Sequence, residues 1–498
     1  MIRRPAIRPR AGLELIGGRY TSAVGGPRRE EIDEVLDLVA ASARDYLKGL
    51  DERELRGSDV DERADGFAAS LPAEGSGAVA AVEQLLRQGV EASVASSGPR
   101  FFHFVQGGVT PAALGADWTT SMLDQNAGLW VATPVGTRLA QLGVDWLKEL
   151  FGLPQGWGGV LTTGATMANF AALAAARRWF GLRYDVDVDA AGFGRLPSVP
   201  VFSSGYIHAS ARKALGMAGI GRDRVRLLSR DGTGALDLDR LRSFLRGSDG
   251  PSIVIGNAGE VNAGHFDPIA EMADLADEHG AWLHVDGAFG LFAAVSPRTR
   301  HLVEGVDRAH SVIADGHKWL NVAYDCGFAF VRDPQMLTGV FSSSGGAAYL
   351  WGPADRRPPL DIGPEMSQRA RGLAVWATLA AYGREGYREV VERHLDLAQR
   401  VADRVDEAPD LERLAEVPLN IVCFRYRPPD LDDEARLDDL NRRVGEAILE
   451  GGRVYVGTTV FDGKVAFRPA IVNWRTREED VDLLVEVIRD LGRKAQKP

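Results

Sequence analysis

Residues 252–287 read SIVIGNAGEVNAGHFDPIAEMADLADEHGAWLHVDG, and this stretch constrains the fold more tightly than any other. An apolar run at 252–255, a loop, a helical period and a second apolar run at 282–285 make a strand–loop–helix–strand unit. Asp267 is placed to cap the helix, Pro268 suits its first position and Gly280 its end. Five further β-like runs, at 159–162, 199–203, 225–228, 311–314 and 327–331, share the same texture, several of them separated by helical spacers. Repeated βαβ units predict an α/β domain around a mostly parallel sheet. The flanks differ. Residues 1–95 are basic at the start and then helical and charged, the 96–385 stretch carries the βαβ pattern, and 386–498 turns helix-rich with strand runs at 420–425 and 464–469. A large α/β domain with an N-terminal helical segment and a smaller α+β C-terminal domain is expected.

Composition narrows the function classes. With 498 residues the chain exceeds what one core normally organises, and a net charge of −11 with interspersed signs argues against a nucleic-acid partner. Cys326 and Cys423 are the only two cysteines and stand in no CxxC or His/Cys cluster, so neither a disulfide framework nor a metal site is expected. No stretch is apolar over a bilayer-spanning length and no secretory leader follows the first arginines. A cytoplasmic protein without a membrane partner is the expectation.

Four features carry chemistry. In GVLTTGATMANFAALAAARRWF (159–180) a strand runs through Gly164, Ala165 and Thr166 into an alanine-rich helix. Free N–H groups at that helix start suit a phosphate, although without the Gly-Lys-[Ser/Thr] ending of a Walker loop. Read alone, the same turn is simply a capped core helix. His208, in FSSGYIHASARKA, is either a backbone-satisfied residue at a helix start or an imidazole stacked on an aromatic ring. Asp286 closes the strand AWLHVDG, and ligands of open α/β sheets bind beyond the carboxyl ends of strands; the bland alternative is a helix cap. Lys318, in SVIADGHKWLNVAYDCGFAFV (311–331), is either a solvated loop residue or, between His317 and the bulky Trp319 and Leu320, a desolvated nucleophile. Taken together they supply a phosphate cradle, a ring stacker, a pyridinium partner and a Schiff-base lysine, which is what pyridoxal 5′-phosphate (PLP) requires.

RFFHFV (100–105), WVATPVGTRL (130–139), TTGATMANFAAL (162–173), IHAS (207–210), WLHVDGAFG (282–290), DGHKWLNVAYDCG (315–327) and FRPAIVNWRT (467–476) run in the order found in the PLP-dependent group II amino-acid decarboxylases, which this chain resembles over about residues 96–476. That family includes the aromatic-L-amino-acid, glutamate, diaminobutyrate and cysteine sulfinate decarboxylases. The resemblance implies the aspartate aminotransferase-like fold type I. It makes Lys318 the Schiff-base lysine and His317 a neighbour of the phosphate. Asp286 partners the ring nitrogen, Gly164, Ala165 and Thr166 bind phosphate, Ala288 packs under the ring and His208 stacks over it. Asn262 falls where a polar residue lies near the cofactor. Phe104, Trp130 and Arg468 fall at the substrate side, Phe104 and Trp130 together with Phe101 and Phe102 favouring an aromatic or apolar substrate. Arg468 leaves room for an acidic one. The family builds its site at a two-fold interface, so a homodimer is implied, with the N-terminal segment packed across the partner.

One departure matters. Many members return the proton to the α-carbon from a tyrosine on a loop matching LWGPADRRPPLDIGPEMSQRARGLAVW (350–376), and this segment has none. Tyr349, just before it, or His208 would serve instead. In related enzymes loss of that tyrosine accompanies oxidative decarboxylation–deamination to an aldehyde. An L-amino-acid decarboxylase forming an amine is therefore expected, with the aldehyde-forming reaction or transamination as alternatives; the presence of Lys318, Asp286 and His208 disfavours a non-catalytic scaffold.

Overall fold

A computed structural model describes residues 26–67, 70–342 and 359–496. Tyr349, the fourth of the expected catalytic residues, lies outside them. The chain forms two compact units, one of residues 1–49 and 59–93, the other of 50–58 and 94–498. In the first, helices Glu31–Gly49, Val60–Asp65 and Ala78–Gln84 follow one another, and the longest buries none of its residues.

The second unit holds two sheets. All seven expected strands join one of them: β1 (Gly158–Thr162), β2 (Val201–Ser203), β3 (Val225–Leu227), β4 (Ile253–Asn257), β5 (Trp282–Asp286), β6 (Ser311–Asp315) and β7 (Gly327–Val331), in the order β1-β7-β6-β5-β4-β2-β3. Every strand but β7 runs the same way; β7 is antiparallel to both neighbours. β4, β5, β6 and β7 are buried along their whole length, as strands covered on both faces by helices must be. The second sheet, β10-β11-β9-β8, comprises β8 (Leu411–Arg413), β9 (Phe424–Tyr426), β10 (Thr458–Phe461) and β11 (Lys464–Phe467), with helices Glu434–Gly451 and Glu478–Ala495 beside it. This is the α/β architecture with a smaller α+β C-terminal part.

Helix Ile269–His279 ends at Gly280, whose φ of 61° lies in the left-handed region glycine adopts without strain. Its start departs from expectation. Asp267 does not cap it. One oxygen of that buried carboxylate accepts from the Ser204 hydroxyl (2.9 Å), the Asn257 N–H (2.8 Å) and the Asn257 amide (2.9 Å), tying the ends of β2 and β4 together. Phe101 and Phe102 are core residues: Phe102 packs in the core of the small sheet and Phe101 stacks on Tyr455 at 5.1 Å. Among the described residues no helix is long and apolar enough to cross a membrane.

Candidate active site

The carboxyl ends of β5 and β6 lie side by side, and each ends in an aspartate, Asp286 and Asp315. Beyond Asp315 the chain makes an eleven-residue connection to β7, and Lys318 sits on it. The connection is rigidly held. Trp319 is fully buried and its indole N–H donates to His394 Nδ1 at 2.8 Å, while His394 Nε2 donates to the Asn473 carbonyl at 2.9 Å. The Asn321 amide donates to the carbonyls of Trp319 (2.8 Å) and Val472 (3.0 Å), and its oxygen accepts from the Trp474 N–H (3.0 Å). Gly107 N–H donates to the His317 carbonyl at 3.1 Å.

These ties leave the Lys318 amine 3.4 Å from Asp315 Oδ2 and 5.8 Å above the centre of the Phe289 ring. His317 Nε2 lies 3.4 Å from the same Asp315 oxygen, and its ring stacks on the half-exposed Tyr324 at 4.1 Å. Burial pushes the His317 pKa down, with Asp315 opposing the shift. His317 Nδ1 and Asp315 Oδ1 are buried and have no hydrogen-bond partner, which is costly unless a ligand completes them.

Both atoms face the start of helix Ala165–Leu182. Gly164 precedes it with φ 144°, and no side chain caps the helix, so its first N–H groups are open. A Cβ on Gly164 would lie 3.1 Å from His317 Cε1 and 3.5 Å from Asp315 Oδ1, and Gly327 presses on Gly164 from β7. Only glycine fits this close approach. Helix N–H groups, Thr166 one residue into the helix and an unpartnered imidazole nitrogen together suit an anionic group such as phosphate.

Asp286 is 5% exposed, and both of its oxygens accept hydrogen bonds, from Asn169 Nδ2 (3.0 Å) and from the Ala288 N–H (3.2 Å). Ala288 in turn accepts from the Asp315 N–H, so its backbone links the two aspartates. His208 caps helix Ala209–Met217, accepting at Nδ1 from the Ser210 N–H (3.2 Å) with Ser210 Oγ at 2.7 Å. The backbone-satisfied reading of His208 is thus correct for Nδ1. Burial lowers its pKa, and the charges that act on it are those of Asp286, Lys318, Arg468 and Asp315. Gly164, Ala165, His208, Asp286, Ala288, His317 and Lys318 are therefore gathered in one place.

Arg468 follows β11, donates to the Val261 carbonyl at 3.2 Å, and has its pKa lowered by burial. Asn262 is turned to the small sheet, its amide oxygen accepting from Thr459 at 2.7 Å. Phe104 is 61% exposed with its ring against His103, and Trp130 occupies the turn before helix Pro134–Phe151. Asn169, His284 and Asp315 escaped sequence reasoning. Alternation along β5 does put His284 on the face of Asp286, and Asn169 is a lone amide in an alanine-rich buried helix.

Residues 71–427 match the model of the pyridoxal-dependent decarboxylase conserved domain. The chain belongs to this family. It is a PLP-dependent carboxy-lyase, and the residues gathered here fit the cofactor: an unsatisfied anion cradle at Gly164 and His317, an amine at Lys318 and a carboxylate acceptor at Asp286. Similar proteins include the aromatic-L-amino-acid decarboxylase of Bacillus atrophaeus, 28% identical over 79% of this chain and 81% of its own length. The L-2,4-diaminobutyrate decarboxylase of Rhizobium meliloti is 28% identical over 94% and 91%, and the phenylacetaldehyde synthase of Arabidopsis thaliana 27% over 79% and 81%. Among solved structures, Oryza sativa TDC with PLP and tryptamine superposes with a TM-score of 0.86 at 26% identity, over 94% of this chain and 98% of that one. Mouse CSAD, at 24% identity and TM-score 0.85 over 93% and 99%, shares the fold of this decarboxylase.

Proposed function

We propose that the enzyme removes CO₂ from an L-amino acid with an aromatic or apolar side chain and releases the amine. The observation that carries this is the convergence of Lys318, Asp315, His317, Asp286 and His208 beyond the ends of β5 and β6. When bound, PLP supplies an electron sink for the pair left behind as CO₂ departs. Lys318 would hold the cofactor through its amine. Asp286 would accept a hydrogen bond from the ring nitrogen. Ala288 and His208 would flank the ring, and Gly164, Ala165, Thr166 and His317 would hold the phosphate, while Asn262, bound to Thr459, would lie to the side of it. His208 or Tyr349 returns the proton to the α-carbon. Because burial depresses its pKa, His208 is neutral at physiological pH, and its Nε2–H is the donor edge.

The substrate class rests on Phe104 and Trp130, since Phe101 and Phe102 belong to the core. It is supported by the names of the Bacillus relative and of the Oryza structure with tryptamine. A second reading, oxidative decarboxylation–deamination to an aldehyde, is favoured by a specific observation: residues 350–376 lack tyrosine, and an aldehyde synthase stands among the relatives. We place the enzyme in the cytoplasm as a homodimer whose partner completes the pocket.

Purified enzyme is expected to be yellow, and borohydride is expected to fix the chromophore on Lys318. A panel of amino acids assayed under oxygen should give CO₂ with equimolar amine. Ammonia and peroxide with an aldehyde would replace the first reading by the second, and a keto acid without CO₂ would mean transamination.

A further inference from the structure

Asp286 does not stand alone at the end of β5; a continuous chain of buried polar groups lies behind it. Trp282, His284 and Asp286 alternate along one face of the strand, and Ser311 pairs with His284 from β6. The indole N–H of Trp282 donates to Ser311 Oγ at 3.0 Å. Ser311 Oγ is 2.9 Å from His284 Nδ1, and His284 Nε2 is 2.7 Å from Asn169 Oδ1. Asn169 Nδ2 lies 3.0 Å from Asp286 Oδ2 and 3.4 Å from Ser210 Oγ, which is 2.7 Å from His208 Nδ1.

The donors and acceptors admit one self-consistent direction. The Asp286 carboxylate only accepts, so the Asn169 amide turns its NH2 to it and its oxygen to His284 Nε2. Ser311, which takes the indole N–H, gives its own proton to His284 Nδ1. His284 then carries its proton on Nε2 and gives it to the Asn169 carbonyl oxygen. The two N–H bonds of the amide point outward, one to Asp286 and one to Ser210. Ser210 in turn donates to His208 Nδ1, leaving the His208 proton on Nε2. Burial pushes the His284 pKa down to about 4, which keeps the ring in the neutral form that this direction requires. Asn169, His284 and Ser311 are fully buried, so each bond is made without competing water.

We propose that Asn169 and His284 are positioning residues that aim Asp286 at the ring nitrogen of the cofactor and, through Ser210, set the tautomer of His208. The inference rests on the assignment of Asp286 to that nitrogen. Asn169 sits four residues into the helix whose start forms the phosphate cradle, about 6 Å along its axis. One rigid helix would thus hold both ends of the cofactor, directly at the phosphate and through Asp286 at the nitrogen.

The test uses two ligands, PLP and its analogue with carbon in place of the ring nitrogen. The full-length enzyme is stripped of cofactor and titrated with each by fluorescence. The parent is expected to prefer PLP by tenfold or more. In Asn169→Leu and His284→Phe that preference should fall by about tenfold, while affinity for the analogue changes little. His284→Gln, which keeps a donor toward Asn169, should restore most of it, and the milder Ser311→Ala should fall between. If the variants keep the parent's preference, whether both affinities drop together or neither does, the network is structural support only and the inference is overturned. A parent without any preference would instead remove the role of Asp286, and the inference with it. Melting temperatures of all variants identify any that fail to fold, and for those Ser311→Ala and His284→Gln carry the test.

Discussion

Lys318 owes its position to buried residues that hold the backbone beneath it. Among the described residues the amine pairs with Asp315, whereas the backbone beneath it is fixed by Trp319, Asn321 and His394. Asp267 works similarly at the neighbouring strand ends, and it pays in desolvation: burial raises its pKa to about 6, outweighing the bonds from Asn257 and Ser204. In the unfolded chain an aspartate titrates near 3.9. A folded-state pKa above the unfolded one means that the native state holds the proton more tightly. The associated stability is therefore complete below about pH 4 and is lost as pH rises through about 6. Asp267→Asn removes this titration. Relative to the variant, the parent should lose about 2–3 kcal/mol between pH 4 and pH 7, read from urea unfolding at the two pH values. A constant difference would show that Asp267 titrates normally. At this scale Lys318, Asp286 and His208 were legible because each follows a β-like run with small or turn-forming residues. Asp267 was misjudged because its partners come from other strands, which no local pattern announces. Asn169 and His284 were passed over for the same reason, since a buried polar residue looks like any other until its partner is known.

Among the elements, all seven strands of the large sheet could be read from apolar runs, but the direction of β7 could not be read from composition. It follows from length. Only eleven residues, 316–326, separate β6 from β7, too few for the crossover that parallel neighbours need. The antiparallel pair turns that connection into a tight loop at the carboxyl end of the sheet and so brings Lys318 to the strand end that carries Asp286. The loop is seated against the 105–110 segment, where Gly107 N–H donates to the His317 carbonyl and Thr110 N–H to that of Asn321. A Cβ on Gly107 would collide with the Lys318 carbonyl, which is backbone and cannot swing aside. Gly107→Ala is therefore expected to displace the loop, lowering stability by about 1–3 kcal/mol. PLP should dissociate at least several-fold faster, measured as loss of absorbance on dilution into a scavenger. Unchanged retention would show that the loop adjusts independently of the amine.

Over the whole molecule, the unit that carries the site exposes several large apolar side chains on and around one helix. Trp118 and Met122, the latter 75% exposed, project from helix Pro111–Leu123, and Val131, Val135 and Met366 are exposed nearby in the chain or the fold. Arg369 binds this helix through Asp117 and Ser121, and the Met366 carbonyl lies against Gly128, so these residues come from neighbouring segments. Separately, helix Glu31–Gly49 buries nothing and exposes Ile32 and Leu36. Where such side chains form one patch they mark an interface, and a two-fold axis would let that patch meet its own copy. Sequence supplied the expectation of a homodimer only through family resemblance, because a chain's own pattern does not distinguish a covered apolar face from a core one. Sedimentation of the enzyme at assay concentration should give about twice the 53.8 kDa chain mass. Met122→Glu, which places a charge where the partner would bury it, should weaken association by at least tenfold while leaving the melting of the isolated chain unchanged. If the partner completes the pocket as proposed, activity should then fall with dilution in the variant at concentrations where the parent holds its specific activity. A parent that sediments as a monomer with full activity would break the link between the exposed face and the site.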